Sequence, residues 1–192
     1  GDLREDCVAQ AMAIIAGEGL DRLSLREVAR RLGVSHQAPY KHYPSRDHLL
    51  AEVVRRAFDD FARFLDARPA SLEAEADLHA MGRAYMAYAL ERPLQYRLMF
   101  GTRLPEPDAH PAMLASARHA FGLLREALRR RAVARGGEDE ATIDLDALYI
   151  WSTLHGLATL LRSEVVPVLD LEPGTQERAP DHVLQRIGTG LT

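Results

Sequence analysis

Apolar residues recur at three- and four-residue intervals along nearly the whole chain and almost nowhere alternate at period two. That is the spacing of helices with one buried stripe, not of strands. Val8, Ala11, Met12 and Ile15 make such a stripe over residues 3–17, which ends at Gly17 and Gly19. Ser24 and Glu27 form the S-x-x-E pair of a capping box, so a helix begins after Ser24 with Leu25, Val28, Ala29 and Leu32 inward. Gly33 accepts a left-handed turn, and Ser35 caps a second helix expected over residues 36–43. Ala29 is small enough to let the two helices cross closely. A long helix follows over residues 46–67, with Leu50, Val53, Val54, Ala57, Phe58, Phe61 and Leu65 on its inner face and Pro69 beyond its end.

Further helices are expected over 71–91, 94–100, 113–135, 142–165 and 180–188. The second and third flank the proline-rich stretch 101–111, GGEDE at 136–140 makes a turn, and 166–180 reads as a loop. Leu78, Met81, Tyr85 and Tyr88 share one face, and Leu114, Ala117, Phe121, Leu124 and Leu128 another. The pattern predicts an all-α chain: a three-helix N-terminal domain over 1–46 and a helical body over 47–192.

A hydrophobic fraction of 47% with 27% charge excludes a disordered chain, and no apolar run approaches a membrane span, so the expected location is the cytoplasm. One cysteine, Cys7, excludes an internal disulfide and reads as a small buried residue of the first helix. The charge is unevenly placed. From Arg22 to Arg46, six basic side chains (Arg22, Arg26, Arg30, Arg31, Lys41 and Arg46) stand against Glu27, while the whole chain carries −4. Helix, glycine turn, helix within a basic window is the pattern of a helix-turn-helix that places its second helix in the DNA major groove. Gln37, Tyr40, Lys41 and His42 supply groups that donate to base edges and phosphates.

Residues 23–50 resemble the DNA-binding domain of the tetracycline-repressor (TetR) family. After the recognition helix, that family's pattern Y-x-H-[YF]-x-[ST]-[KR] reads here as Tyr40, His42, Tyr43, Ser45 and Arg46. The resemblance covers about the first 60 residues. It implies DNA contacts from Ser35, His36, Gln37, Ala38, Tyr40, Lys41 and His42, with Arg46 and Ser24 or Arg26 on phosphates. Pro39 departs from the pattern. As the fourth residue of its helix it falls in the first turn, where a missing N–H costs least, so the helix is expected to stay intact with an altered tilt.

Trp151, His155 and Gly156 form W-x-x-x-H-G, similar to the C-terminal WHG domain of one branch of TetR-like regulators. Ala147, Leu154, Ala158 and Leu161, with Val183, Leu184 and Ile187 of the last helix, suit an isologous homodimer interface, the favoured reading over a helix buried at the centre of a monomer. Met81, Tyr85, Tyr88, Tyr96, Met99, Phe100, Phe121, Trp151 and His155 are inward aromatic, methionine and histidine positions. Such groups are ordinarily core, and in a family whose body binds an effector they become candidate linings for a small molecule.

No H-E-x-x-H, C-x-x-C or G-x-S-x-G occurs, so neither a metal site, a catalytic residue nor a cofactor is expected. The expectation is a homodimeric, ligand-responsive regulator of transcription, a repressor bound to a palindromic DNA operator. A non-specific architectural DNA binder and a protein–protein adaptor remain the alternatives.

Overall fold

The computed structural model describes residues 2–69, 71–137 and 139–191, and no strand occurs among them. Eight α-helices follow one another: α1 (Leu3–Glu18), α2 (Leu25–Leu32), α3 (Arg46–Asp66), α4 (Ala74–Glu91), α5 (Pro93–Phe100), α6 (Pro111–Ala134), α7 (Glu140–Leu161) and α8 (Thr175–Gly190). Local chemistry sets several ends. Asp2 accepts from the Arg4 N–H at 3.0 Å, Ser24 from the Glu27 N–H at 3.1 Å, and Asp139 from the Thr142 N–H at 2.8 Å. Gly33 closes α2 at φ 67°, in the left-handed region that a side chain disfavours.

Two expectations change. The last helix begins at Thr175, with Pro180 inside it, instead of at Pro180. Pro180 is the sixth helical residue, so only one intrahelical bond, that to Gln176, is forgone. On α6 the buried positions are Met113, Ala120, Ala127, Leu128, Arg131 and Ala132, while Leu114, Ala117, Phe121 and Leu124 are half-buried.

Contacts divide the chain into two compact units, neither continuous in sequence. The first comprises the residues up to Asp60 together with Leu94–Arg118. This cut falls inside α3, which begins at Arg46, and so lies further along the chain than a division at residue 46. The core of the first unit holds Cys7, Val8, Ala11, Ile14, Ile15, Val28, Ala29, Leu49, Val53 and Val54. Arg56 grips Glu5 with two bonds of 2.6 Å, joining α3 to α1. The Tyr43 hydroxyl donates to the Arg4 carbonyl at 3.3 Å. The returning segment is fastened to the same body: Arg97 donates to the Ile15 carbonyl at 3.3 Å, and Phe100 meets Phe58 edge-on at 5.9 Å.

The second unit holds Phe61–Pro93 and the chain from His119 onward. Here α4, α7 and α8 pack on one another. Gly82 of α4 makes that possible, since a Cβ there would fall on the Leu184 side chain. Phe61, Phe64, Tyr85 and Tyr88 form a ring cluster with centroids 5.0–5.6 Å apart, and Arg92 lies over Phe64 and Tyr88. Buried Asp77 accepts from Arg68 at 3.1 and 3.0 Å and also from Arg130. Arg131, buried as well, donates to Glu75 at 2.7 Å and to the Leu191 carbonyl. Arg129 binds Glu140 of α7 at 2.8 and 2.7 Å. The basic end of α6 is therefore a set of structural ties.

Candidate nucleic-acid interface

The interface is built on the turn after α2. The N–H of Gly33 and that of Val34 close on the Arg30 and Ala29 carbonyls at 3.3 and 3.1 Å. From Ser35 the chain does not form the regular α-helix expected over 36–43. Residues 36–38 are a turn and Pro39–Lys41 a 3₁₀ helix, with Ala38 N–H on Ser35 O at 3.0 Å and Lys41 N–H on Ala38 O at 3.3 Å. Pro39 is the cause: it has no N–H for the Ser35 carbonyl, which turns to Ala38 instead, so the segment tightens to i→i+3 bonding. Pro39 itself is buried, as is Tyr43, and these two anchor the segment beneath its exposed face.

That face presents Ser35, His36, Gln37, Tyr40, Lys41 and His42 to solvent, with Ala38 partly covered. Arg26, His36, Gln37 and Tyr40 together line one open depression of about 420 Å³. Ser24 is occupied in capping α2. Arg46 donates to the Leu23 and Leu20 carbonyls at 3.0 and 2.9 Å and lies 3.5 Å from Asp47, so its guanidinium ties α3 to the entry of α2.

The electrostatics differ from a plain basic window. Glu18 and Asp47, just outside it, join Glu27 in compensating the arginines. Arg30 binds Glu27 through bonds of 2.8 and 2.7 Å, and Arg31 binds Glu27 at 2.7 Å and also Glu18. Those bonds, from Arg30 first and Arg31 second, hold the Glu27 carboxyl down at about 2. Arg22 stands 3.9 Å from Glu18. Among the described residues no ion pair engages Arg26 or Lys41, and both are exposed beside the groups that line the depression. Placement, not net charge, makes this face electropositive: residues 2–53 carry seven basic and eight acidic side chains.

The other candidates divide between the units. Tyr96, Met99 and Phe100 belong to the first; Met81, Tyr85, Tyr88, Phe121, Trp151 and His155 belong to the second. Within the second, the Tyr85 hydroxyl lies 3.2 Å from His155 Nδ1, and Trp151 packs between Phe121, at 5.7 Å, and His155, at 6.4 Å. Burial, with Arg162 nearby, pushes the His155 imidazole pKa down.

The residues assigned to a dimer interface need correction. Ala147, Leu154, Ala158, Leu184 and Ile187 are buried within the chain itself, where α7 meets α4 and α8, while Leu161 and Val183 are half-buried. The uncovered side of α7 instead carries Leu145 (67% exposed), Leu148 (51%), Tyr149 (46%) and Leu160 (54%). Helix α7 is apolar on two sides, so periodicity alone gives two stripes without saying which is inside. The 145, 148, 149 spacing was the available signal for the second.

An all-helical chain with a capped helix, a left-handed glycine turn and an exposed polar segment bearing unpaired cations defines a helix-turn-helix DNA-binding regulator. The sequence model described as "Bacterial regulatory proteins, tetR family" matches residues 8–53, and "Tetracyclin repressor-like, C-terminal domain" matches residues 78–185. The chain belongs to the TetR family of transcriptional regulators, whose members bind DNA and act as dimers. It is 28% identical over 169 residues to the HTH-type transcriptional regulator Rv0681 of Mycobacterium tuberculosis, spanning 88% of this chain and 74% of that protein. A solved structure from Rhodococcus sp. RHA1, of unknown function, is 29% identical with a TM-score of 0.77, covering 100% of this chain and 94% of the other. A tetR family regulator structure from Shewanella sp. PV-4 shares the fold at 18% identity, with a TM-score of 0.72 and coverage of 100% and 96%. Among the described residues no helix is long and apolar enough to cross a membrane.

Proposed function

We propose that this regulator is a homodimeric repressor that binds a palindromic operator and is released by a small molecule. The observation that carries the reading is the depression lined by Arg26, His36, Gln37 and Tyr40, with Lys41 exposed nearby. Gln37 suits the paired donor and acceptor of adenine, His36 and Tyr40 reach base edges or phosphates, and Arg26 and Lys41 neutralise the backbone. Ser35, Ala38 and His42 complete the contact surface, which Ser24 and Arg46 support from behind by capping α2 and tying α3 to its entry.

The second copy sits on the uncovered side of α7. Leu145, Leu148, Tyr149 and Leu160 share a stripe with Gly156, where an added Cβ would meet nothing within 4 Å, so a partner helix can approach closely. Two-fold symmetry through that stripe presents two heads to half-sites about 34 Å apart or a multiple of it. The effector is an apolar molecule with one hydrogen-bonding group, held among Met81, Tyr85, Tyr88, Phe121 and Trp151 and oriented by the Tyr85–His155 pair. Tyr96, Met99 and Phe100, also candidates for sensing it, lie in the other unit. Its binding shifts the population toward a form in which α3 alters the spacing of the heads.

Selection of bound duplexes from a random library tests the reading. Enrichment of one palindrome supports it. Salt-sensitive binding without enrichment means a general DNA binder instead, and no duplex binding at low salt means an adaptor.

A further inference from the structure

We infer that His48 and His110 form a binding site for a borderline divalent transition-metal ion such as Cu²⁺, Ni²⁺ or Zn²⁺. Their rings meet edge to face at 4.8 Å between centroids, with an interplanar angle of 88°. Both belong to the first unit, one on each of its sequence-distant parts. An ion about 2 Å beyond an imidazole nitrogen lies about 3 Å from that ring's centre, so two rings sharing it at square or tetrahedral angles stand about 4.5–5.2 Å apart. The observed separation falls inside that range. The χ2 torsion of a histidine is soft, so either ring can turn toward a shared ion.

The surroundings favour ligation over mere contact. Ser45 Oγ accepts from the His48 main-chain N–H at 3.3 Å and lies 2.8 Å from His48 Nδ1. With Nδ1 as the protonated nitrogen, both hydrogen bonds end on hydroxyl lone pairs. Nε2 then keeps the free pair a metal requires, the arrangement commonly found behind histidine ligands. His110 is held firmly too. Its N–H donates to the Pro107 carbonyl at 3.0 Å, its carbonyl accepts from Leu114 N–H at 3.2 Å, and Pro111 follows it. Two imidazoles select nitrogen-seeking ions over Mg²⁺ or Ca²⁺. Among the described residues no group of three metal-binding side chains occurs, so water completes the coordination sphere and the ion exchanges freely.

The test is a Cu²⁺ titration of the full chain followed by electron paramagnetic resonance, with thermal unfolding in parallel. The expected result is one ion per chain with two equatorial nitrogens and a raised melting temperature. Both signals should be lost in His48→Gln and in His110→Gln and kept in His119→Gln and His182→Gln, which change histidines elsewhere. Retention of the two-nitrogen signal in either His48→Gln or His110→Gln overturns the site, and so does a one-nitrogen signal in the unaltered chain. No readout involves DNA, so failure here is separable from failure of the operator reading.

Discussion

Within α2 the three arginines have three different fates, set by what stands one turn away. Glu27 holds Arg30 and, with Glu18, Arg31, while Arg26 is left on the face of the recognition segment. Arg26→Ala and Lys41→Ala are therefore expected to weaken operator binding by about 1–3 kcal/mol each and to reduce the salt dependence by about one counterion. Arg30→Ala should change affinity little. Fluorescence anisotropy across a salt series checks all three. A second residue-scale expectation concerns acid. Hydrogen bonds from Arg55 first, with help from Arg56, hold the Glu52 carboxyl at about 2 against an ordinary 4.5. With the pKa lower in the folded state, the stabilisation is complete above about pH 4.5 and fades as pH falls toward 2. Glu52→Gln should lower stability near neutral pH by about 1–2 kcal/mol, allowing for solvent screening, and flatten the acid limb of a urea-midpoint profile.

At the scale of elements, legibility followed how local the cause is. All seven apolar positions read along α3, from Leu50 to Leu65, are buried, because a 21-residue helix with one wet side must repeat at helical period. The cap at Ser24 and the turn at Gly33 are equally local and were equally plain. The recognition segment departs from its expected form: a proline in the first turn is expected to leave the helix intact with an altered tilt, yet the helix is so short that losing one bond moves it to 3₁₀ geometry. Helix α7 is apolar on two sides, and choosing between them requires the positions of α4 and α8. Their crossing supplies the prediction for this scale. Gly82→Ala should destabilise the second unit by about 1–3 kcal/mol through overpacking against Leu184, read as a lower urea midpoint.

For the whole molecule, the proposed dimer makes the most direct prediction. Leu148→Asp with Tyr149→Asp puts charge on a stripe already open to water, so the chain should remain folded by circular dichroism. Sedimentation should show a monomer, and operator affinity should fall by at least about a hundredfold as the two half-sites are no longer bound together. A mutant that stays dimeric would move the interface elsewhere on the surface. At this scale the sequence is least informative. Nothing in the pattern of either segment announces that Arg97 will reach the Ile15 carbonyl or that Phe100 will meet Phe58.

Those two contacts also bear on how the protein is made. The first unit is finished only when residues as far as Arg118 have joined those up to Asp60. On the ribosome, the N-terminal helices emerge early but wait, with the side of α1 and α3 meant for α5 still bare, until residues as far as Arg118 have followed. A protein engineer faces the same constraint. A chimera that borrows only the first 60 residues from this regulator would leave that side uncovered, and transplanting Leu94–Arg118 along with them restores a complete module.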